Sequence, residues 1–221
     1  MTTRLVLGSA SPRRKELLGM LGVPFVVEKP DVDESVRAGE PPAEYVQRLS
    51  REKAATIAAR HEEGCVVAAD TIVVYLGEIF GKPRDEAQAR EMLRRLRGQQ
   101  HRVLSGVTVH DAGTGKALTD LCESKVAIRE MTDEEIDAYV ATGDPMDKAA
   151  AYAIQNVEFA PVEVVVGCPA NVMGLPMCHV LRSLHRQGME LPPSAPHECR
   201  IQYGYHCAIA EDVMPGLTEQ R

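Results

Sequence analysis

Apolar residues along this chain switch repeatedly between two spacings, and the switches predict its elements. Residues 4–7 form a short apolar run, the pattern of a buried strand. Ser11 then Pro12 marks a helix start, a capping hydroxyl before a proline in the first turn. Leu17, Leu18 and Leu21 share one face of that helix, and Gly22 closes it. "VPFVVEKPDVDES" reads as a strand and an acidic loop, and "AGEPP" as a turn. A helix over 43–61 turns Tyr45, Val46, Leu49 and Ile57 inward. "CVVAADTIVVYLGEIFGKP" is apolar and β-branched, which predicts a central strand folding back at Gly77–Glu78.

"DEAQAREMLRRLRG" is an amphipathic helix ending at Gly98, and "DAGTG" is a turn between two strands over 101–130. Thr132 with Glu135 forms a capping box for a helix that stops at Gly143. "GLPMCHVLRSLHRQG" supplies the last helix, with Pro176 near its first turn. Strands and helices alternate, with one hairpin-like section, so the expected fold class is α/β with a mixed sheet. The composition changes at "MELPPSAPHEC". The expected organisation is therefore one domain over 1–188 and a poorly ordered C-terminal extension over 189–221.

Composition narrows the function. The chain has 221 residues, enough for one good-sized core, and a net charge of −7, which disfavours nucleic acid as a partner. No apolar run is long enough to span a membrane, and the N-terminus lacks a signal-peptide core, so a cytoplasmic setting is expected. Six cysteines contain no C-x-x-C pair, and reduced, half-buried thiols are expected. "HECRIQYGYHC", with His197, Cys199, His206 and Cys207, matches no standard zinc spacing.

Four signals carry candidate chemistry. Arg13 and Arg14 fall in the first turn of a helix, where unpaired N–H groups and the dipole already favour an anion. A bound phosphate would reward them; the plain alternative is two solvated arginines beside a cap. Asp70 sits in "VVAADTIVV", where seven of the nine residues are apolar. A buried carboxylate must be neutralised, paired or bound to metal, and the plain alternative is a strand-end pairing with a cap or a lysine. Thr71 would then face the other side of the strand. Asp31, Asp33 and Glu34 in "DVDES" offer oxygens to a divalent cation such as Mg²⁺, or else form a solvated acidic loop. Lys53, Lys82 and Lys148 lie beside turns or in a helix, and Gln155 ends an apolar stretch. Together they describe an enzyme acting on a nucleotide. Neither G-x-x-x-x-G-K-[ST] nor G-x-G-x-x-G occurs, which disfavours a Walker-type ATPase and a dinucleotide oxidoreductase.

"SASPRRKELL", "VVAADTIV", "GKP", "DPMDKAAAYAIQ" and "VMGLP" resemble, in order and spacing, the Maf family of nucleoside triphosphate pyrophosphatases, over roughly residues 5–188. That resemblance implies an elongated α/β fold with a mixed sheet, akin to the inosine triphosphatases. It implies cleavage of the α–β phosphoanhydride with Mg²⁺ or Mn²⁺, in the cytosol, commonly by a homodimer. Asp70 matches the family's proton acceptor. Arg13, Thr71 and Gln155 match the positions of substrate choice and carry the pattern of the dTTP/UTP branch. Ser9, Arg14, Lys53 and Lys82 match positions near the phosphates, and Glu34 an acidic position near the metal. The chain departs from the family where "YGIQGLGG" is replaced by "YAIQNVEFA", where "VEVVVGCPANVMGLP" replaces the usual loop, and in its tail. The alternatives are a pyrophosphatase for modified nucleotides, a nucleotide-binding regulator of septum formation without turnover, and a phosphate-binding scaffold with a decayed site.

Overall fold

The computed structural model describes residues 4–192 and Val213. From residue 193 on, apart from Val213, the expected poorly ordered extension, with its His/Cys cluster at 197–207, lies outside the described residues. Strand β1 (Leu5–Gly8) leads into α1 (Pro12–Gly19), β2 (Phe25–Glu28), α2 (Pro42–Ala58), β3 (Cys65–Tyr75) and β4 (Glu78–Phe80). Then follow α3 (Glu86–Leu96), β5 (Gln100–Asp111), β6 (Ala117–Ile128), α4 (Asp133–Ala141), two 3₁₀ turns (Asp144–Asp147 and Ala149–Ala151), β7 (Val162–Val166), α5 (Pro169–Met173) and α6 (Met177–Arg186).

The seven strands form one mixed sheet in the order β2-β1-β3-β5-β6-β7, with β4 paired to the far end of β3. β1 runs parallel to β2 and β3, and the other pairings between these strands are antiparallel. The period of two sorts the side chains. Val6, Val66, Ile72, Val74 and Leu104 meet α2, where Val46, Leu49 and Ile57 are buried. On the opposite face Leu5, Leu7, Val67, Ala69 and Val107 pack with α1 and α6, and Val73, Val103 and Val126 pack with residues of α3 and α4. Cys65, Cys122, Cys168 and Cys178 are all buried.

Local chemistry explains most element ends. The Ser11 side chain accepts the Arg14 N–H at 3.5 Å, and Pro12 opens α1. Gly22 is left-handed (φ 67) but stands after α1 has ended at Gly19, because the 3₁₀-type bonds of Met20, Leu21 and Gly22 tighten the exit. Thr132 and Glu135 form both halves of their capping box. At the 111–116 turn, Asp111 Oδ1 accepts the N–H groups of Gly113 and Thr114. The reading of 162–176 as a replaced loop needs correction in its detail. Val162–Val166 forms edge strand β7, paired to β6 alone, and Pro169–Met173 forms a short helix.

One contact decides where α2 lies. Gly106 on β5 stands opposite Asp70 on β3. A Cβ on Gly106 would overlap the Val46 carbonyl of α2 and stand 2.7 Å from the Gln47 nitrogen. The missing side chain lets a helix backbone rest directly on the sheet beside Asp70.

Candidate functional site

Asp70 lies inside the eleven-residue strand β3, not at its end, and its side chain is 10 % exposed. It faces α2, and Lys53 Nζ donates to its Oδ1 at 2.7 Å. The same Nζ stands 2.7 Å from Glu34 Oε1. One ammonium therefore bridges two carboxylates that are far apart in sequence. Lys53 is 7 % exposed in its side chain and Glu34 61 %, so the chain Asp70–Lys53–Glu34 runs from the sheet to solvent.

Side chains of α2 hold the loop that presents Glu34. Tyr45 Oη donates to the Glu34 carbonyl at 2.7 Å. Burial, and then Asp70, pushes the Tyr45 phenol up to about 12, so it stays a donor. Arg48 donates through Nε to Glu40 Oε1 at 2.6 Å, through Nη2 to Glu40 Oε2 at 2.7 Å, and through Nη2 to the Ser35 carbonyl at 3.0 Å. This bidentate pairing holds the Glu40 carboxyl down to about 2, from an ordinary 4.5. A depressed carboxylate contributes stability that is complete above the unfolded value and lost as pH falls through the folded one. Glu40→Gln should therefore lower the urea midpoint at pH 7, and its deficit against wild type should close between pH 4.5 and about 2. A deficit that does not vary with pH would show that ionisation of Glu40 is not its source.

The first turn of α1 places its two arginines differently. Arg14 turns inward. Its Nε donates to the Gly174 carbonyl at 2.8 Å, Nη1 to the Ala69 carbonyl at 2.7 Å, and Nη2 to Thr71 Oγ1 at 3.2 Å. Nη1 also reaches Ser9 Oγ at 3.4 Å, and Ser9 accepts the Ser11 N–H at 3.2 Å. Burial holds the Arg14 guanidinium below its ordinary range, and Asp70 and Glu34 partly offset this. Thr71 is on the opposite face of β3 from Asp70, as strand alternation predicts. There it meets Arg14, Ser105 Oγ at 2.7 Å and the Gly174 carbonyl at 3.3 Å.

Arg13 faces a cleft of about 450 Å³, lined also by Asp144, Lys148, Gln155, Asn156 and Val157. Arg13 and Gln155, far apart in sequence, thus meet in one cleft. Asp70, Thr71 and Lys82 are not among its lining residues. Lys82 is exposed beside Gly81, whose carbonyl accepts the Ala150 N–H at 3.0 Å. The first turn of α1 is common to both regions, since Arg13 lines the cleft and Arg14 binds the carbonyl next to Asp70.

Tyr139, Asp144 and Asn156 were absent from the sequence-derived candidates, yet they hold the cleft wall. The Tyr139 hydroxyl donates to Asp144 Oδ2 at 2.9 Å and accepts the Ala153 N–H at 3.0 Å. The sequence signal that could have found Asp144 is its spacing in "DPMDK", four residues before Lys148, whose Nζ reaches Asp144 Oδ1 at 2.9 Å.

Among the described residues, no group of three or more His, Cys, Asp or Glu stands together as metal ligands. Glu34 and Asp70 nevertheless converge on one point, the Lys53 ammonium, with two hard carboxylates. That donor set fits Mg²⁺ or Mn²⁺, which are commonly held by one or two carboxylates and complete their shell with water and substrate phosphates. No helix among the described residues is long and apolar enough to cross a membrane.

A family model described as "Maf-like protein" matches residues 4–187. A protein of Geobacter sulfurreducens named dTTP/UTP pyrophosphatase is 51 % identical over 185 residues, covering 84 % of this chain and 97 % of its own. Proteins of the same name from Anaeromyxobacter dehalogenans and Geotalea uraniireducens are 48 % and 45 % identical, covering 89 % and 84 % of this chain and 100 % and 96 % of their own.

Proposed function

Since the chain belongs to the Maf family, we propose that it is a nucleoside triphosphate pyrophosphatase that converts dTTP and UTP to the monophosphate and pyrophosphate, thereby clearing nucleotide pools. The observation that carries this reading is the shared turn at Pro12–Arg14. Arg13 lines a cleft that also presents the exposed Gln155 amide, and its neighbour Arg14 binds the carbonyl next to Asp70, the buried carboxylate paired to Lys53.

Asp70 takes a proton from water as the water oxygen attacks the α-phosphorus, and the bridging α–β P–O bond breaks. Lys53 fixes the direction of the Asp70 carboxylate and supplies positive charge where the phosphates crowd. Glu34 and Asp70 would hold the Mg²⁺ or Mn²⁺, which when bound neutralises phosphate charge. Arg13 and Lys82 grip the departing pyrophosphate, and Ser9 offers its hydroxyl at the helix start. Arg14 serves the phosphates by holding that helix start against β3, since its fork is spent on the Ala69 and Gly174 carbonyls. Gln155 both donates and accepts, which suits the O4/N3 edge of uracil or thymine. Arg13, Thr71 and Gln155 set the preference among bases, Thr71 through Arg14. A cytoplasmic homodimer is the expected working form.

The test is a panel of nucleoside triphosphates with Mg²⁺ or Mn²⁺, reading pyrophosphate and monophosphate. Pyrophosphate from dTTP and UTP, abolished by EDTA and restored by excess Mg²⁺, is the expected result. Orthophosphate would mean that another bond is cut, and turnover confined to modified nucleotides would replace the substrate assignment. No turnover of any nucleotide would leave a binding protein.

A further inference from the structure

The wall of the cleft from Asp144 to Glu158 has little regular structure to hold it. It begins with two 3₁₀ turns, and consecutive alanines, Ala150 and Ala151, both adopt φ 59. Such left-handed backbone is unfavourable for residues with a Cβ, so the surroundings must impose it. Side chains supply the constraint. Tyr139 on α4 is fully buried, and its single oxygen bonds both sides of the wall, Asp144 Oδ2 at 2.9 Å and the Ala153 N–H at 3.0 Å. Asn156 Nδ2 donates to the same Asp144 oxygen at 3.1 Å, while its Oδ1 accepts the Phe159 N–H at 2.9 Å. The Phe159 ring lies 5.0 Å from the Tyr139 ring, which closes the loop on itself. Tyr152 anchors the middle of the wall by a 2.7 Å bond to buried His101.

Both ends of the Asn156 amide are therefore occupied, whereas Gln155 is exposed in the cleft. Asn156 braces, and Gln155 is left to read a ligand. Ala153, held by the phenol, stands two residues before Gln155. Lys148, held by Asp144, lines the same cleft seven residues before Gln155.

We infer that the Tyr139 hydroxyl is a positioning group for recognition of the base: it locks Asp144 to Ala153 and thereby sets where Lys148 and Gln155 meet the edge of a pyrimidine. This rests on the reading that the cleft takes the base of a pyrimidine nucleotide. Tyr139 itself lines no part of the cleft, so it acts through Asp144 and Ala153. Burial and the bond to Asp144 push its phenol well above the ordinary value, so it donates at any physiological pH.

Tyr139→Phe removes one oxygen and keeps the ring that packs on Phe159. Two competitive inhibitors separate the ends of the substrate: dTMP carries the base, and inorganic tripolyphosphate carries only the phosphates. The variant should weaken dTMP about tenfold and raise KM for dTTP similarly, with kcat and the tripolyphosphate constant unchanged within about twofold. Should Tyr139→Phe fail to fold, Asn156→Ala removes the other brace and should give the same split. Equal weakening of both inhibitors, or of neither, overturns the inference. A wild-type enzyme that turns over neither dTTP nor UTP overturns the underlying reading instead.

Discussion

Asp70→Asn should release pyrophosphate from dTTP roughly a thousandfold more slowly than wild type, or worse. The substitution keeps the shape of the side chain but removes its negative charge, so it can no longer accept a proton from water. It also removes one of the two carboxylates that converge on Lys53. Losing proton acceptance alone costs about two to four powers of ten, and losing half of the cation's donor set adds to that. The fold should survive, because Lys53 keeps Glu34 and the amide oxygen still accepts a hydrogen bond. Circular dichroism and a pyrophosphate assay on the same sample separate loss of chemistry from loss of structure. A rate near wild type would show that Asp70 is not the base.

Gly106→Ala should damage both stability and catalysis, although Gly106 has no side chain to contribute to either. Its Cβ would meet the Val46 carbonyl and the Gln47 nitrogen, which are helix backbone and cannot rotate away. Overpacking of this kind costs about 3 kcal/mol, and in a chain of this size that lowers Tm by roughly 6–12 °C. α2 can relieve the clash only by lifting from the sheet, which carries Lys53 away from Asp70. The variant should therefore also lose activity in proportion to that displacement. Gly19→Ala is the control: nothing stands within 4 Å of its Cβ, and a helical position favours alanine over glycine by about 0.5–1 kcal/mol. If Gly106→Ala matches Gly19→Ala in Tm and rate, the close approach of α2 is not what holds the site together.

Elements governed by their own residues were legible in the sequence. The Thr132–Glu135 box and the Ser11–Pro12 start each use chemistry within a few positions, and the alternation of β3 correctly sent Asp70 and Thr71 to opposite faces. What depended on distant partners was not legible. β7 reads as loop because its valines are half exposed on an edge and pair only with β6. Arg14 was legible as a first-turn cation, but its burial depended on the Ala69 and Gly174 carbonyls arriving from β3 and the end of α5. The Lys53–Asp70 bond spans 17 residues and needs a helix lying flush on the sheet. A lysine partner for Asp70 was the plain alternative in the sequence, and it occurs in mid-strand, not at a strand end.

The mixed topology also imposes an order on assembly. β5 and β6 are antiparallel neighbours joined by the short 111–116 turn, an inexpensive closure that can form early. β1 and β3 are parallel, so they join only after the long crossover through β2 and α2 has been laid down. Asp70 lies in the strand that meets the early hairpin, and Lys53 lies in the crossover. The ammonium and its carboxylate are only 17 residues apart and both precede the hairpin in the chain, so their pairing needs α2 laid on β3, with Gly106 of β5 leaving room for the helix, but not the parallel join to β1.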